Sequence, residues 1–353
     1  MAVKPVSLGG RMVGPGCPPY IIAEIGANHN GDIALAKRMI DEAKRCGADA
    51  VKFQSWSSSS LICKGEFERN TTYADKKRHF GSLKEMVDAY QLTPDQHVEL
   101  NVYCRGIGVH FMCSAFSPAE VTLLKDLNVP AIKLASMDVT NPVLLAAAAE
   151  SGVPLILSTG LSDLAEVADA VAILRAHGCQ DLVLLHCISI YPPAYEDIHL
   201  NNMKTLENAF NVPVGFSDHS IGSAIPIASV ALGACMVEKH FTLEKDMEGW
   251  DHWISANPEE LEVICRESRN VFHALGSTER IVTEAELKKR KSFRRCIVLS
   301  KDLPAGHTLQ LEDLDFKRPG TGIAPTEYPY VVGRTLARDL EADHELAWSD
   351  FTG

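Results

Sequence analysis

His219 and His240 are the residues with the clearest chemical promise. Each closes a short, mostly apolar run, Gly215-Phe216-Ser217-Asp218-His219 and Val237-Glu238-Lys239-His240. Alternation along the second run puts Glu238 and His240 on one face, opposite Val237 and Phe241. Two imidazoles on neighbouring strand ends can hold one divalent ion and leave positions open for water and substrate oxygens. Such a site suits Mn2+ first, with Mg2+ or Co2+ as alternatives. No cysteine stands close to either histidine in the sequence, which speaks against structural zinc. A single histidine would read as a hydrogen-bonded core residue. The pair, flanked by carboxylates, reads as a metal site.

Lys52 and Lys133 interrupt other apolar runs and are candidate anion ligands. A buried ammonium binds phosphate or carboxylate as a point charge. Hydroxyls at Ser114, Ser136, Ser158 and Ser217, with helix N-termini, could complete the cradle. A Schiff-base lysine of aldolase type would look the same. Glu24, in Ala23-Glu24-Ile25-Gly26, could act as general acid or base if burial raises its pKa, or could pair with a lysine. Asp251, in Gly249-Trp250-Asp251-His252, fits a turn residue or a holder of a polyol hydroxyl. Asn28, Gln54, Asp138, Thr159, Ser189, Tyr191, Asp218, Glu238 and Lys239 complete the polar residues at strand ends.

These residues need a frame that brings strand ends together. The chain repeats a short apolar run, a turn and an amphipathic stretch. The runs are Tyr20–Gly26, Ala50–Gln54, Val109–Ser114, Ala131–Ser136, Pro154–Gly160, Leu182–Cys187, Val212–Ser217 and Cys235–Phe241. They are rich in Val, Ile and Leu, as strands buried on both faces should be. Helical stretches follow them: Ile33–Cys46, Pro94–Arg105, Pro118–Leu127, Pro142–Ser151, Leu164–Ala176, Met203–Phe210, Ile221–Leu232 and Pro258–Leu275. Pro94, Pro118, Pro142 and Pro258 suit first helical turns. Gly47, Gly106, Gly152, Gly178 and Gly233 suit helix stops. Eight strand–helix units over about 250 residues make a (β/α)8 TIM barrel. A doubly wound sheet would share the alternation, but no GxGxxG follows the first strand. Val6–Gly14 reads as a hairpin around Gly9-Gly10 that covers one end of the barrel.

The domains are expected at 1–275 for the barrel with its hairpin, 276–292 for a polar linker, and 293–353 for a small, loop-rich β domain. With 46% hydrophobic and 23% charged residues, the chain is an ordinary globular protein and not a disordered one. A net charge of −12 argues against a nucleic-acid partner. No stretch spans a membrane and none has a signal-peptide layout. The ten cysteines include no CxxC pair and fit a reducing cytoplasm.

The motifs as a set resemble the sialic acid synthases, also called N-acetylneuraminate synthases. The resemblance is carried by Tyr20-Ile21-Ile22-Ala23-Glu24-Ile25-Gly26-Ala27-Asn28-His29, Val51-Lys52-Phe53-Gln54, Leu157-Ser158-Thr159-Gly160, and His186-Cys187 leading to Tyr191-Pro192. The two histidine motifs are its most specific part. Cys296 to Phe351, with Lys317-Arg318-Pro319-Gly320-Thr321-Gly322, resembles the antifreeze-like (SAF) domain that ends these enzymes.

The resemblance implies condensation of phosphoenolpyruvate with an open-chain N-acyl amino sugar, typically N-acetylmannosamine, to a nonulosonic acid and phosphate. It implies that His219 and His240 hold the metal and that Glu24 manages protons. Lys52, Ser114, Lys133, Ser136, Ser158, Ser189 and Ser217 would hold phosphoenolpyruvate. Gln54, Tyr191, Glu238, Asp251 and Arg318 would meet the sugar. Arg318 would do so from the small domain of a second subunit, in a homodimer whose SAF domains cover the partner barrels. Three positions depart from common family residues: Ser189 for Asn, Ser114 for Thr, and Asp138 for Glu. Trp250 stands where several members have a small residue or Pro. The alternatives are a legionaminic or pseudaminic acid synthase using a 2,4-diacetamido sugar, and a non-catalytic antifreeze-like binding protein.

Overall fold

The computed structural model describes residues 3–71, 73–75 and 78–352, with 73–75 and 78–80 described by their backbone alone. The outer limits of the expected domains, Met1 and Gly353, lie outside the described residues. The chain forms two compact units, one up to Gly276 and the other from Ser277.

The first unit opens with a hairpin, β1 (Val6–Leu8) and β2 (Arg11–Val13). Then follow β3 (Tyr20–Gly26), α1 (Ile33–Arg45), β4 (Ala50–Gln54), α2 (Lys64–Arg69), β5 (Tyr73–Asp75), β6 (Arg78–Phe80), α3 (Leu83–Tyr90) and α4 (Pro94–Ile107). The alternation continues with β7 (His110–Ala115), α5 (Pro118–Asp126), β8 (Ile132–Leu134), α6 (Pro142–Glu150), β9 (Leu155–Ser158), α7 (Leu164–Ala176), β10 (Leu182–Cys187) and α8 (Asn202–Phe210). It ends with β11 (Val214–Asp218), α9 (Ala224–Ala231), β12 (Met236–His240) and α10 (Pro258–Leu275). Strands β3, β4, β7, β8, β9, β10, β11 and β12 close into one parallel barrel, with β12 pairing back onto β3. Each expected apolar run is one of these strands: Tyr20–Gly26, Ala50–Gln54 and Leu182–Cys187 match end to end, and the other five are trimmed or shifted.

Side chains alternate between two environments. Ile21, Ala23, Val51, Phe53, Leu155, Leu157 and Val237 face outward and form one core with the helices. Tyr20, Ile22, Ala50, Met112, Ala131, Ile156, Val183, Leu185 and Met236 face inward and pack with Val6, Leu8 and Val13 of the hairpin. The hairpin therefore corks the barrel at the strands' N-terminal end. One step further along each strand the inward positions turn polar.

The helix signals hold with one correction. Pro94, Pro118, Pro142 and Pro258 each sit in a first helical turn, and Thr93, Ser117, Asn141 and Asn257 cap those helices. Gly106, expected as a stop, lies inside α4. Gly108 ends that helix in the left-handed conformation, with φ of 72°. The segment between β4 and α4, for which the sequence pattern assigned no element, folds into α2, the β5–β6 pair and α3. Among the described residues no helix is long and apolar enough to cross a membrane.

The second unit contains α11 (Glu284–Phe293), β13 (Cys296–Leu299), β14 (Leu314–Lys317) and α12 (Tyr328–Val331). β13 and β14 pair antiparallel. Lys301–Gly306 carries no strand. The unit is built on an internal repeat. Asp302, Leu303, Gly306, His307 and Asp313 recur at the same spacing as Asp339, Leu340, Asp343, His344 and Asp350. Asp339 accepts from Ala305 N and Asp302 from Ala342 N, each at 2.7 Å. His307 bonds Asp313 at 2.7 Å and His344 bonds Asp350 at 2.9 Å. Each of these aspartates also caps its own turn, from Gln310 N and Ala347 N.

Burial works against the Asp350 carboxylate, but Arg338, Ala347 N and His344 outweigh it and hold its pKa below the usual range. Its contribution is thus present above the unfolded carboxyl value near 4 and lost as pH falls through the depressed one. Asp350→Ala is expected to cost the second unit about 2–3 kcal/mol. A thermal melt at pH 7 should show the loss. A melt matching wild type would remove the side chain from the stability argument.

Candidate functional site

The polar inward positions meet in a cavity of about 480 Å3 at the C-terminal mouth of the barrel. Glu24, Lys52, Ser114, Lys133, Ser158, Ser217 and Glu238 each come from the end of a different strand. Lys52 Nζ lies 2.7 Å from Glu24 Oε2 and donates to Ser114 Oγ at 3.0 Å. Glu238 stands between both lysines, 3.8 Å from Lys52 and 3.7 Å from Lys133, and accepts from Ser217 Oγ at 3.2 Å. Gln54 Nε2 donates to the other Glu24 oxygen at 2.9 Å, and Trp56 Nε1 donates to Gln54 Oε1 at 2.7 Å. Strand β3 shifts register at Gly26, where φ is 54° and an added Cβ would come 3.2 Å from Glu24 Oε1.

Burial raises the Glu24 pKa to about 6, with Lys52 opposing and Glu238 assisting. Burial would raise Glu238 too, but Lys133 and Lys52 together bring it down. Burial also opposes charge on Lys52, and Glu238 and Glu24 outweigh it, so Lys52 is raised. Lys133 goes down, because burial and the like charge of Lys52 exceed the pull of Glu238. The floor therefore gathers two lysines and two carboxyl groups in a poorly solvated space. Ser158 Oγ and Glu238 Oε2 are buried there without a hydrogen-bond partner. Each is a buried polar atom that a bound group could satisfy.

His219 and His240 sit above the floor, with ring centroids 5.5 Å apart. His219 Nδ1 is engaged by the Ile188 carbonyl at 2.8 Å, which leaves Nε2 as the nitrogen open to a ligand. His240 Nδ1 is buried, lies 3.9 Å from Asp251 Oδ2 and makes no hydrogen bond. Burial, His219 and Lys52 hold the His240 pKa well below the usual value, so the imidazole is neutral, the form a metal needs. Among the described residues no three His, Cys, Asp or Glu side chains converge as a complete ligand set. The two imidazoles fit an ion whose other positions go to water and substrate oxygens.

Every residue expected at the site in the first unit lines this cavity: Gln54, Ser136, Ser189, Tyr191 and Asp251 with those already described. Ser136 Oγ accepts from Gly160 N at 3.0 Å, and a Cβ at Gly160 would meet Ser189 Oγ at 2.4 Å. Tyr191 stacks on His219 at 3.9 Å between centroids. Of the other polar strand-end residues, Asn28, Asp138, Thr159, Asp218 and Lys239 do not line the cavity. Ser136 and Asp138 lie in a 3-10 turn after β8, which ends at Leu134. Asn28 is a brace: it donates to Phe241 O and Ser255 Oγ and accepts from Asp251 N, which fixes the Asp251 loop. Arg318 lies in the second unit, exposed, with its guanidinium 4.9 Å over the Phe293 ring.

Sequence reasoning missed Cys187 and most of the apolar wall. Cys187 Sγ is 4.0 Å from His219 Nδ1, so a cysteine does stand beside this histidine in space. Inward parity along β10, through Val183 and Leu185, was the signal that could have found it. Trp56, Leu61, Phe116 and Trp250 line one side of the cavity, with Trp56 edge-on to Trp250 at 6.1 Å.

Comparison with known proteins gives the same picture. A family model described as NeuB family matches residues 39–280, and a SAF domain model matches residues 294–352. The N,N'-diacetyllegionaminic acid synthase of Legionella pneumophila is 39% identical over 337 residues, covering 93% of each chain. The N-acetylneuraminate-9-phosphate synthase of Mus musculus is 35% identical and covers 95% of this chain and 93% of its own. The structure of the N-acetylneuraminic acid (sialic acid) synthetase of Leptospira borgpetersenii, in complex with citrate, superposes with a TM-score of 0.71. It is 34% identical and covers 81% of this chain and 95% of its own.

Proposed function

Because the chain belongs to the NeuB family of sialic acid synthase-type enzymes, we propose that it joins phosphoenolpyruvate to the aldehyde of an N-acyl amino sugar such as N-acetylmannosamine. The observation that carries this reading is the cavity floor, where Lys52 and Lys133 stand among serine hydroxyls beneath two open imidazoles. A small trianion fits the floor and a carbonyl oxygen fits the level above.

In the overall change, carbon 3 of phosphoenolpyruvate bonds to the aldehyde carbon, and the aldehyde oxygen takes up a proton. A water oxygen bonds to carbon 2 and the bond from carbon 2 to the phosphate oxygen breaks; of the two water protons, one makes good, through Glu24, the proton taken up by the aldehyde oxygen, and the other leaves with phosphate. Lys52 and Lys133 neutralise the carboxylate and phosphate, with Ser114, Ser136, Ser158, Ser189 and Ser217 as hydroxyl ligands. Glu24, at a pKa of about 6, is poised to accept the water proton and pass one to the new hydroxyl. Gln54 and Lys52 hold its two oxygens in place. Glu238, Asp251 and Tyr191 face the sugar hydroxyls. Mn2+, or Mg2+ or Co2+, held by His219 and His240, would supply Lewis acidity at the aldehyde oxygen.

A second reading, a 2,4-diacetamido sugar, is favoured by the apolar wall of Trp56, Leu61, Phe116 and Trp250. An acetamido group offers that wall a methyl where N-acetylmannosamine offers a hydroxyl. The deciding experiment is phosphate release from phosphoenolpyruvate with Mn2+, across N-acetylmannosamine, mannose and 2,4-diacetamido hexoses, with mass detection of the keto acid. Release with one sugar and none after chelation would establish reaction and substrate. No release with any of them would count against the whole reading.

The proposal includes a homodimer in which the second unit of one copy covers the barrel mouth of the other. Its support is a rim of exposed apolar side chains on the strand-end loops, Met137, Leu161, Ile190, Tyr195 and Ile221. Arg318 is then the residue that meets the N-acyl group. Arg318→Ala should raise KM for the sugar about 10-fold or more and leave KM for phosphoenolpyruvate within about 2-fold. Equal increases in both would assign Arg318 a structural role.

A further inference from the structure

Asp218 and Lys239 are a buried ion pair on the outer face of the barrel, directly behind the two histidines. Their side chains are 0% and 1% exposed, and Lys239 Nζ lies 2.7 Å from Asp218 Oδ2. They are register partners, in line with Ser217 opposite Glu238 and Phe216 opposite Val237. Lys239 also donates to the Ser220 carbonyl, and Asp218 Oδ1 accepts from Ser220 N at 2.9 Å. One ammonium thus holds the chain on both sides of His219 while sitting next to His240.

A charge pair in this position needs a reason. Other outward residues of these strands, Val214, Phe216 and Val237, are apolar and join the main core. A packed hydrophobic pair would serve stability as well or better, since burying two charges costs most of what their attraction returns. What an apolar pair cannot do is specify the rung. Inward–outward alternation rejects a slip of one residue between β11 and β12, because it would flip every side chain. It does not reject a slip of two, which keeps each face intact. That slip would set Lys239 opposite Phe216 and leave an unpaired charge in the core. The histidines lie one residue beyond the pair, where the ladder ends and the loops diverge.

We infer that Asp218 and Lys239 are positioning residues that fix the register of β11 against β12 and so set the spacing of His219 and His240. The inference rests on the proposed reading of those histidines as metal ligands. Neither residue touches the cavity, so the effect is transmitted through backbone.

The test compares wild type, Asp218→Asn, Lys239→Met and the double variant Asp218→Leu/Lys239→Met in the full chain. Mn2+ affinity is read by electron paramagnetic resonance without substrates, and thermal unfolding is read alongside. The single variants should melt lower and bind Mn2+ at least about 10-fold more weakly, the scale of a lost outer-sphere contact. The double variant leaves no unpaired charge. It should regain most of the lost thermal stability and keep the weakened Mn2+ affinity, which a purely structural pair would not do. Wild-type Mn2+ affinity in the folded double variant overturns the inference alone. Absence of Mn2+ binding by wild type overturns the functional reading and the inference with it. If the single variants do not fold, the double variant decides.

Discussion

His240→Ala is expected to lower turnover by about 10^3-fold, because Lewis-acid stabilisation of a developing alkoxide is worth several kcal/mol. Mn2+ affinity should fall with it. The fold should survive for a structural reason. His240 lies at the end of β12, its Nδ1 has no hydrogen-bond partner, and removing the ring therefore orphans nothing at that atom. Among the described residues its close ring contacts, His219 at 5.5 Å and Tyr191 at 6.0 Å, are members of the same site. The check is phosphate release, Mn2+ binding and circular dichroism on one preparation. Normal turnover by the variant in chelator-treated buffer would show that the histidine pair is not a metal site.

Glu24→Gln carries the second large effect. The variant keeps shape and an oxygen for Lys52 but cannot hold or release a proton. Loss of a positioned acid–base group should cost about 10^2–10^4-fold in kcat. Wild-type kcat/KM should rise with pH through about 6, as Glu24 ionises to the form that accepts the water proton. The variant should lack that limb. The stability sign runs the other way. A carboxyl raised from 4.5 to about 6 contributes stability that is fully present below 4.5 and is lost as pH rises through about 6. The free enzyme is therefore least settled at this residue where it is most active. A wild-type pH profile that is flat between 5 and 7, or a variant that retains the limb, would take the proton-transfer role away from Glu24.

Much of this architecture is legible in the chain because a parallel barrel writes a short apolar run for every strand. The polar residues inside those runs, Glu24, Lys52, Lys133 and Glu238, stand out because burial is costly for charge. The same uniformity hides other things. In a strand buried on both faces, an inward cysteine looks like an outward one, so Cys187 reads as core. The apolar wall comes from Trp56, Leu61, Phe116 and Trp250, which reach the cavity from connecting segments whose course depends on tertiary packing. The pairing of Lys239 with Asp218 is invisible without the register, since their separation in sequence says nothing about which rung they share. The repeat in the second unit escapes notice because its two copies share polar anchor positions while their intervening residues differ.

The hairpin that corks the barrel touches none of the proposed reactants, yet it sets their traffic. With Val6, Leu8 and Val13 packed beneath Tyr20, Ala50 and Met112, the well is closed at its hairpin end. Lys52 and Lys133 lie just above the cork, while Tyr191 and Trp250 stand nearer the mouth. A blind well of this kind is first in, last out. On the proposed reading, the anion on the floor would have to arrive before the sugar above it, and a sugar that arrived early would shut the floor off. A short strand pair at the far end of the barrel would thus, on the same reading, impose an order of addition.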